Sequence, residues 1–502
     1  MGDDVGIQEF THADLKRYRH KLRRCLDALI LLTDGDLFDV ERTLTGMELE
    51  LSLVDESGEP SMTNHEVLSH LAENAVANGD SVQDELGRFN LELNLGPRPV
   101  AGFGFETYEQ RLRLWLQDVN DCARKEHSSV VMVGTLPTVR REHARLDILS
   151  RRPRYRLLND QILSVRGEDI SLDISGAETL RAHTDSIAPE SVNTSVQFHL
   201  QLTPEQFPRY WNAAQAMAGV QLATAANSPY LFGTQLWAET RIILFEQATD
   251  IRNGELRVQG VRPRAWFGER WITSATDLFE ENLKYFVPLL PQCVSEDPIE
   301  KVNSGEIPQL GELRLHNGTI YRWNRPVYDV GPEGPHLRVE NRVVPAGPTP
   351  IDICANMAFY LGLVTALAEA DMPIWTKLPF AVAEQNFHAA ARHGIDAHQT
   401  WPGLGELPAR VLVLDHLLPK AAEGLAALDV DSAVAERLLA IIAGRCRNGV
   451  NGAAWQVNCV QRLQQRQGLS RTPALHEMLS RYAEHAATNT PVHEWPPELK
   501  ST

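Results

Sequence analysis

Gly46-Met47-Glu48-Leu49-Glu50-Leu51-Ser52-Leu53 alternates apolar and polar residues without a break. A period of two marks a β-strand, because successive side chains point to opposite faces. Met47, Leu49, Leu51 and Leu53 share one face; Glu48, Glu50 and Ser52 share the other. The pattern recurs in Phe89-Asn90-Leu91-Glu92-Leu93-Asn94-Leu95, in Ser195-Val196-Gln197-Phe198-His199-Leu200-Gln201-Leu202 and in Leu337-Arg338-Val339-Glu340-Asn341-Arg342-Val343. The reading is four half-buried strands, each with an apolar face on a core and a polar face open. Side by side in one antiparallel sheet, their polar faces would form a floor carrying Glu48, Glu50, Glu92, His199 and Glu340, with Arg338 and Arg342 beside them. Carboxylates gathered on one surface repel unless divalent cations or bound cationic groups neutralise them.

The totals restrict what such a floor can serve. The chain has 502 residues, 43% hydrophobic and 23% charged, an ordinary globular composition with room for one large domain or several smaller ones. A formal net charge of −18 argues against binding nucleic acid or anionic lipid, though not against a small anion held by a local Arg cluster. The six cysteines, Cys25, Cys122, Cys293, Cys354, Cys446 and Cys459, are scattered and form no CxxC pair. They are expected to be reduced, mostly buried thiols in a cytoplasmic protein. Met1-Gly2-Asp3-Asp4 is acidic and opens no apolar run, so no signal peptide is expected. Apolar runs such as Ala28-Leu29-Ile30-Leu31-Leu32 are too short to span a bilayer.

Thr11 and Asp14 form a capping-box pattern ahead of Leu15, Tyr18, Leu22, Cys25, Leu26 and Leu29, which predicts a helix over 11–32. Its basic residues, Lys16 to Arg24, read as a solvated face. Asp55-Glu56-Ser57-Gly58 predicts a turn, and a helix is expected over His65–Ala77. Gly96-Pro97-Arg98-Pro99 is expected to end the Glu92 strand. A helix over Tyr108–Lys125 and a buried strand at Val130–Val133 follow. Arg141–Glu190 is charged, lacks a sustained period and reads as a long loop over the site. Thr203-Pro204-Glu205-Gln206 is expected to open a helix that Asn227-Ser228-Pro229 stops. Tyr321, Trp323 and Arg325 read as packing beside a strand. Thr349-Pro350-Ile351-Asp352 caps an apolar helix through Leu367, the sheet's expected packing partner. From about Gly403 the chain reads as all-helical, with a break at Asn451-Gly452. The expected division is a catalytic domain over 1–402 and a helical region over 403–502. Trp- and Leu-bearing helices after residue 430 suit either a homodimer interface or an intrachain cap.

Glu48 and Glu50, two residues apart on a strand, would sit ~7 Å apart on one face. With Glu92, His199 and Glu340 they make an oxygen-rich donor set with one imidazole, better suited to Mg²⁺ or Mn²⁺ than to Zn²⁺. The rival reading is a polar face held by Glu–Arg pairs. Arg342, on the Glu340 face, suits an anion bridging the cations, such as a nucleotide phosphate, and metals with Arg are what phosphoryl transfer needs. No Walker A motif or GxSxG elbow is present.

At these residues the sequence resembles bacterial and plant-type glutamate–cysteine ligases and related carboxylate–amine ligases. Gly46-x-Glu48-x-Glu50, Leu91-Glu92-Leu93-Asn94, Thr194-Ser195-Val196-Gln197-Phe198-His199, Ala226-Asn227-Ser228-Pro229, Arg241 and Glu340-Asn341-Arg342 carry the resemblance, in order, over about residues 43–370. The helical tail, with Gly452-Ala453-Ala454-Trp455-Gln456, lies outside these motifs. The resemblance implies an α+β, glutamine-synthetase-like fold: a curved antiparallel sheet with helices on its outer face. It implies ATP as cosubstrate and Mg²⁺ (or Mn²⁺) on Glu48, Glu50, Glu92, His199 and Glu340. Glu48, Glu340 and Arg342 would be catalytic, Arg342 and Glu50 would meet ATP, and Gln197 and Arg241 would meet substrate, with Arg338, outside the family pattern, expected to join them in the substrate pocket. Asp84 or Glu85 would match a further acidic position. The implied reaction joins the γ-carboxylate of glutamate to an amine, cysteine first among them, through a γ-glutamyl phosphate, with no protein nucleophile. Arg338, two residues before Glu340, is a departure that bears on the amine. A kinase of the same fold and a non-catalytic sensor of ATP or amino acids are the alternatives.

Overall fold

The computed structural model describes residues 10–38, 43–72 and 79–496. The N-terminal tetrapeptide and the last part of the helix expected over His65–Ala77 lie outside these residues.

All four alternating stretches fall in one seven-stranded antiparallel sheet. Its strands are β1 (Thr45–Asp55), β2 (Ser81–Asp84), β3 (Asn90–Arg98), β4 (Ser128–Val131), β5 (Val196–Leu202), β6 (Asn324–Gly331) and β7 (Gly334–Asn341). The order is β6-β7-β5-β1-β3-β2, and β4 pairs with the far end of β1. Register brings the polar residues together: Arg325 lies opposite Glu340, Glu340 opposite His199, Gln197 opposite Glu48, and Glu50 opposite Glu92. Directly opposed side chains on one face start ~5 Å apart, so the register alone assembles the floor.

The apolar face carries Met47, Leu49, Leu51, Leu93, Phe198, Leu200, Leu337 and Val339, all buried. The long helices before residue 370 are α1 (His12–Thr33), α2 (Gly104–Lys125), α3 (Pro153–Arg166), α4 (Phe207–Ala225) and α5 (Pro350–Ala368); α2, α4 and α5 stand on the core side, while α1 packs on the short helix Gly311–Asn317. α5 is capped by Thr349, whose hydroxyl accepts the Asp352 N–H at 3.1 Å. Expected to lie chiefly on the sheet, it is instead encased by α4 and by two helices of the tail, α6 (Leu418–Ala427) and α7 (Ser432–Asn448). Its touch on the sheet is Tyr360, stacked on Phe198 at 6.1 Å. Among the described residues it is the one helix long and apolar enough to cross a membrane, and it is buried in the core.

Several expectations are corrected. The polar face of the sheet is not open: Glu50, Glu92, His199 and Glu340 are all buried. The Arg141–Glu190 stretch is no loop: α3 and a short turn at Ala188–Val192 roof the floor, and a hairpin (Ile170–Ser175 with Thr179–Thr184) lies between them in the chain. β3 runs through Gly96-Pro97 to Arg98, because β2 stops pairing at Asn94 and leaves Pro97 on a free edge, beside a bulge between Thr45 and Met47. Thr203 and Gln206 do exchange capping bonds, at 3.2 and 3.4 Å, but α4 starts only at Phe207. The α1 capping box is present, yet its basic face is only partly solvated: Arg24 grips Asp297 at 2.6 and 2.7 Å. Near Gly403 a hairpin, His398–Trp401 with Gly405–Pro408, precedes the helices, which start at Ala409.

The tail is tied to the core by buried polar contacts. Arg445 on α7 donates to the Asp352 carboxylate at 2.8 Å and the Asn356 amide at 2.6 Å, both on α5. Tyr482, on α9 (Arg471–Ala487), which follows α8 (Gly452–Gln467), donates to the Met132 carbonyl at 2.8 Å and accepts from Asn227 at 2.8 Å. Trp455 of α8 packs edge-on against Tyr482 and Trp495 inside the chain. Where α5 and α6 cross, Gly362 meets Gly424, and a Cβ on Gly424 would run into the Gly362 carbonyl. Gly424→Ala is therefore expected to destabilise the fold by about 3 kcal/mol, read from the midpoint of urea unfolding; an unchanged midpoint would show that the crossing can spread.

Candidate active site

Glu340 sits at the centre of the floor with no solvent exposure. Its carboxylate accepts from Arg325 Nε and Nη2 at 2.5 and 3.0 Å and from Arg342 Nη1 at 2.7 Å. Burial alone would raise its pKa; Arg325, then Arg342, hold it well below the usual carboxylate range. Arg342 Nη1 also donates to Gln197 Oε1 at 2.6 Å. Gln197 in turn donates to Glu50 at 3.0 Å, and the Ser195 N–H caps the other Glu50 oxygen at 2.6 Å. The rival reading of Glu–Arg pairing thus describes one part of the floor.

Beside Glu340 lie Glu48 and His199, and one ligand atom from each of the three falls within 4.8 Å of the others. Nε2 of His199 is buried and faces Glu48 Oε1 at 3.2 Å without an aligned hydrogen bond. Two carboxylates and an imidazole with an unused nitrogen fit Mg²⁺ or Mn²⁺. One detail opposes the ion. Arg338 Nε donates to His199 Nδ1 at 3.0 Å, so the neutral ring carries its proton on Nε2. A cation at Nε2 requires that proton to shift to Nδ1, and Arg338 to let go. Its Nη1 already reaches His336 at 2.8 Å and Asp329 at 3.4 Å.

The remaining acids occupy the other half of the floor. Glu92 accepts from Gln83 at 2.8 Å and Asn94 at 2.9 Å. Burial and then the Glu48 charge raise it to about 7. Glu85 lines the same cleft; burial, then Glu92, Glu50 and Glu190, push it well above the carboxylate range. Asp84 instead pairs with Arg152, away from the floor. Of the two acids that the sequence left open, Glu85 is the one in the cleft. Arg241 stands behind the floor: it pairs with Glu239 at 2.9 Å and donates to the carbonyl of Val343 at 2.5 Å, bracing the chain after β7.

Two clefts meet above Glu48 and Arg325. One, of about 610 Å³, is lined by His199, Arg314, Arg338 and Glu340, with Phe279 and Leu313 as its apolar wall. The other, of about 890 Å³, holds Glu50, Glu85, Glu92, Glu190 and Arg342 under Tyr155 and Tyr321. Arg325 and Glu190 were not singled out as site residues from the sequence. Arg325 had a signal, an Arg in a strand-like run just before the Glu340 strand; Glu190 had none.

With the geometry in place, comparisons locate the chain among known proteins. A sequence model of glutamate-cysteine ligase family 2 matches residues 44–472, well into the helical tail. No curated protein sequence matches at a significant level. The crystal structure of glutamate–cysteine ligase from Francisella tularensis in complex with AMP is similar in fold, with TM-score 0.54 and 11% identity over 90% of each chain. A bifunctional glutathione synthetase from Pasteurella multocida gives TM-score 0.48 and 12% identity over 93% of this chain and 55% of that one.

Two measurements follow from this geometry. Glu92 and Glu85 have folded-state pKa values above their unfolded ones, so the stability tied to their protons is lost as pH rises. Between about pH 5 and about pH 8, where Glu340 is ionised both folded and unfolded, the metal-free protein should lose thermal stability, and Mn²⁺ should restore it. A flat melting profile across that range would contradict the burial of uncompensated acids. Arg338→Met, which frees His199 Nδ1 and removes a nearby positive charge, should tighten Mn²⁺ binding about tenfold in a nucleotide-free titration; unchanged or weaker binding would show that Arg338 does not restrain His199.

Proposed function

Because the chain belongs to glutamate-cysteine ligase family 2, it is a carboxylate–amine ligase, and we propose that it joins the γ-carboxylate of glutamate to an amine, cysteine foremost, at the expense of ATP. The observation that carries this reading is the cluster of Glu48, His199 and Glu340 beside Arg325 and Arg342, at the junction of two clefts. One cleft takes the nucleotide and the other the two substrates to be joined; the shared floor is where phosphoryl and acyl groups change hands.

The nucleotide belongs on the Arg314 and Arg338 side, where the two guanidinium groups meet polyphosphate and Phe279 and Leu313 offer an apolar wall. Glu48, His199 and Glu340 would hold one Mg²⁺; Glu50 and Glu92, opposite each other on β1 and β3, would face a further cation from the larger cleft. Bound Mg²⁺ supplies charge neutralisation on the phosphate oxygens. Arg342 and Arg325, fixed by Glu340, steady the transferred phosphoryl group; Gln197 keeps Arg342 aimed.

A γ-carboxylate oxygen of glutamate attacks the γ-phosphorus of ATP. A P–O bond forms as the bond to the β-phosphate oxygen breaks, giving an acyl phosphate and ADP. The amine nitrogen then attacks the acyl carbon, the C–O bond to phosphate breaks, and nitrogen loses a proton to leave an amide. No protein nucleophile takes part, which agrees with thiols that burial holds protonated, such as Cys446, raised to about 12.

The test is incubation with ATP, Mg²⁺, glutamate and a panel of amines, followed by product mass. The expected result is ADP, phosphate and a γ-glutamyl amide, with γ-glutamylcysteine formed fastest. Glu340→Gln, which unpins both Arg325 and Arg342, should lower kcat by about 1,000-fold or more while the fold persists. A phosphorylated acid without amide would identify a kinase, and ADP formation with no amine in the panel would refute the ligation proposed here.

A further inference from the structure

The chemistry above leaves one acid of the larger cleft without a task. Glu190 belongs to the turn Ala188–Val192, whose Ala188, Pro189, Ser191 and Val192 are buried and fix its place. Its side chain is partly buried and lines the cleft that Leu158, Ile187, Phe245 and Tyr321 also line, together with Arg152, Arg154, Arg325 and Arg342. Each other acid there has a protein partner: Ser195 and Gln197 for Glu50, Gln83 and Asn94 for Glu92, the Leu86 N–H for Glu85, and the facing His199 ring for Glu48. Among the described residues no hydrogen bond supports the Glu190 carboxylate; it feels the Glu50 charge as a repulsion and Arg342 as a distant attraction. A half-buried carboxylate with no hydrogen-bond donor has lone pairs open to a cationic partner. Burial, then Glu50, raise its pKa to about 8, as expected of an acid whose counter-charge is missing.

Its position says which cation. The acyl phosphate forms over Glu340 and Arg342, and the nucleotide side is the cleft of Arg314 and Arg338. The incoming nitrogen must approach from the opposite cleft. Glu50, Glu85 and Glu92 lie on the floor of that cleft, and Glu190 projects from its roof. We propose that Glu190 binds the ammonium group of the acceptor amine, and so selects acceptors that arrive as small cations with an apolar body to lay on Ile187, Leu158 and Phe245. This rests on the ligase reading, and it adds the residue that chooses the second substrate.

Hydroxylamine separates the two ideas, because it is an acyl-phosphate trap that is uncharged near neutral pH. Wild-type protein, Glu190→Gln and Glu190→Asp are compared for kcat/KM with hydroxylamine and with the best cationic amine, all with ATP, Mg²⁺ and glutamate. In Glu190→Gln the ratio of amine to hydroxylamine kcat/KM should fall about tenfold or more, chiefly through the KM of the amine. Glu190→Asp should recover part of that ratio. An unchanged ratio in Glu190→Gln, whether both reactions survive or both are lost, overturns the role of Glu190 and leaves the ligase standing. No hydroxamate from the wild-type protein overturns the ligase reading and this inference together.

Discussion

The arrangement depends on how a sheet can bury several carboxylates on one face. A lone ionised carboxylate in a dry interior is costly, and the protein answers that cost differently in the two halves of its floor. At Glu340 two guanidinium groups supply the counter-charge, so the acid is ionised without exposure to water. At Glu50, Glu85 and Glu92 the partners are amides, a hydroxyl and backbone N–H groups, which satisfy lone pairs but bring no full positive charge of their own. That half is complete only when protons or cations are added.

The rest of the fold serves this division. Antiparallel register sets Arg325, Glu340 and His199 in a row across three strands, and Glu50 beside Glu92 across the next pair. The opposite face is Leu, Val and Phe on helices, which leaves the strands no freedom to slip: a shift by one residue would put every acid into the core. Behind the sheet, Arg241 holds the carbonyls that follow β7, while Arg445 and Tyr482 bind the tail to α5 and to the loops at Met132 and Asn227. These buried polar ties lie beneath the loops that leave the floor strands, so the tail contributes to holding the floor in place.

The period of two was legible because it needs only the chain's own pleat. From it came the four strands, their common sheet and the residues of the floor. The roof was not legible. Whether a polar face meets water or other segments depends on distant parts of the chain, and Arg141–Glu190 has too little periodicity to announce the helix and the turn that cover the floor. The same limit explains single residues. Glu85 and Asp84 differ by one position, hence by face, and only the pairing of β2 with β3 decides between them. Arg325 reads as packing until its register opposite Glu340 is known. Glu190 sits in a turn with no pattern at all.

The unequal halves also give the floor a direction. On one side Arg314, Arg325 and Arg338 balance Glu48, Asp329 and Glu340, so that cleft carries no excess of acid. On the other side acids exceed arginines, around Glu50, Glu85 and Glu92, and the local field favours positive charge. Arg342, on the acid-rich side, ties the two halves together through its bonds to Glu340 and Gln197. With its acids uncompensated, the acid-rich half repels an anion, and positive charge placed there reverses that repulsion.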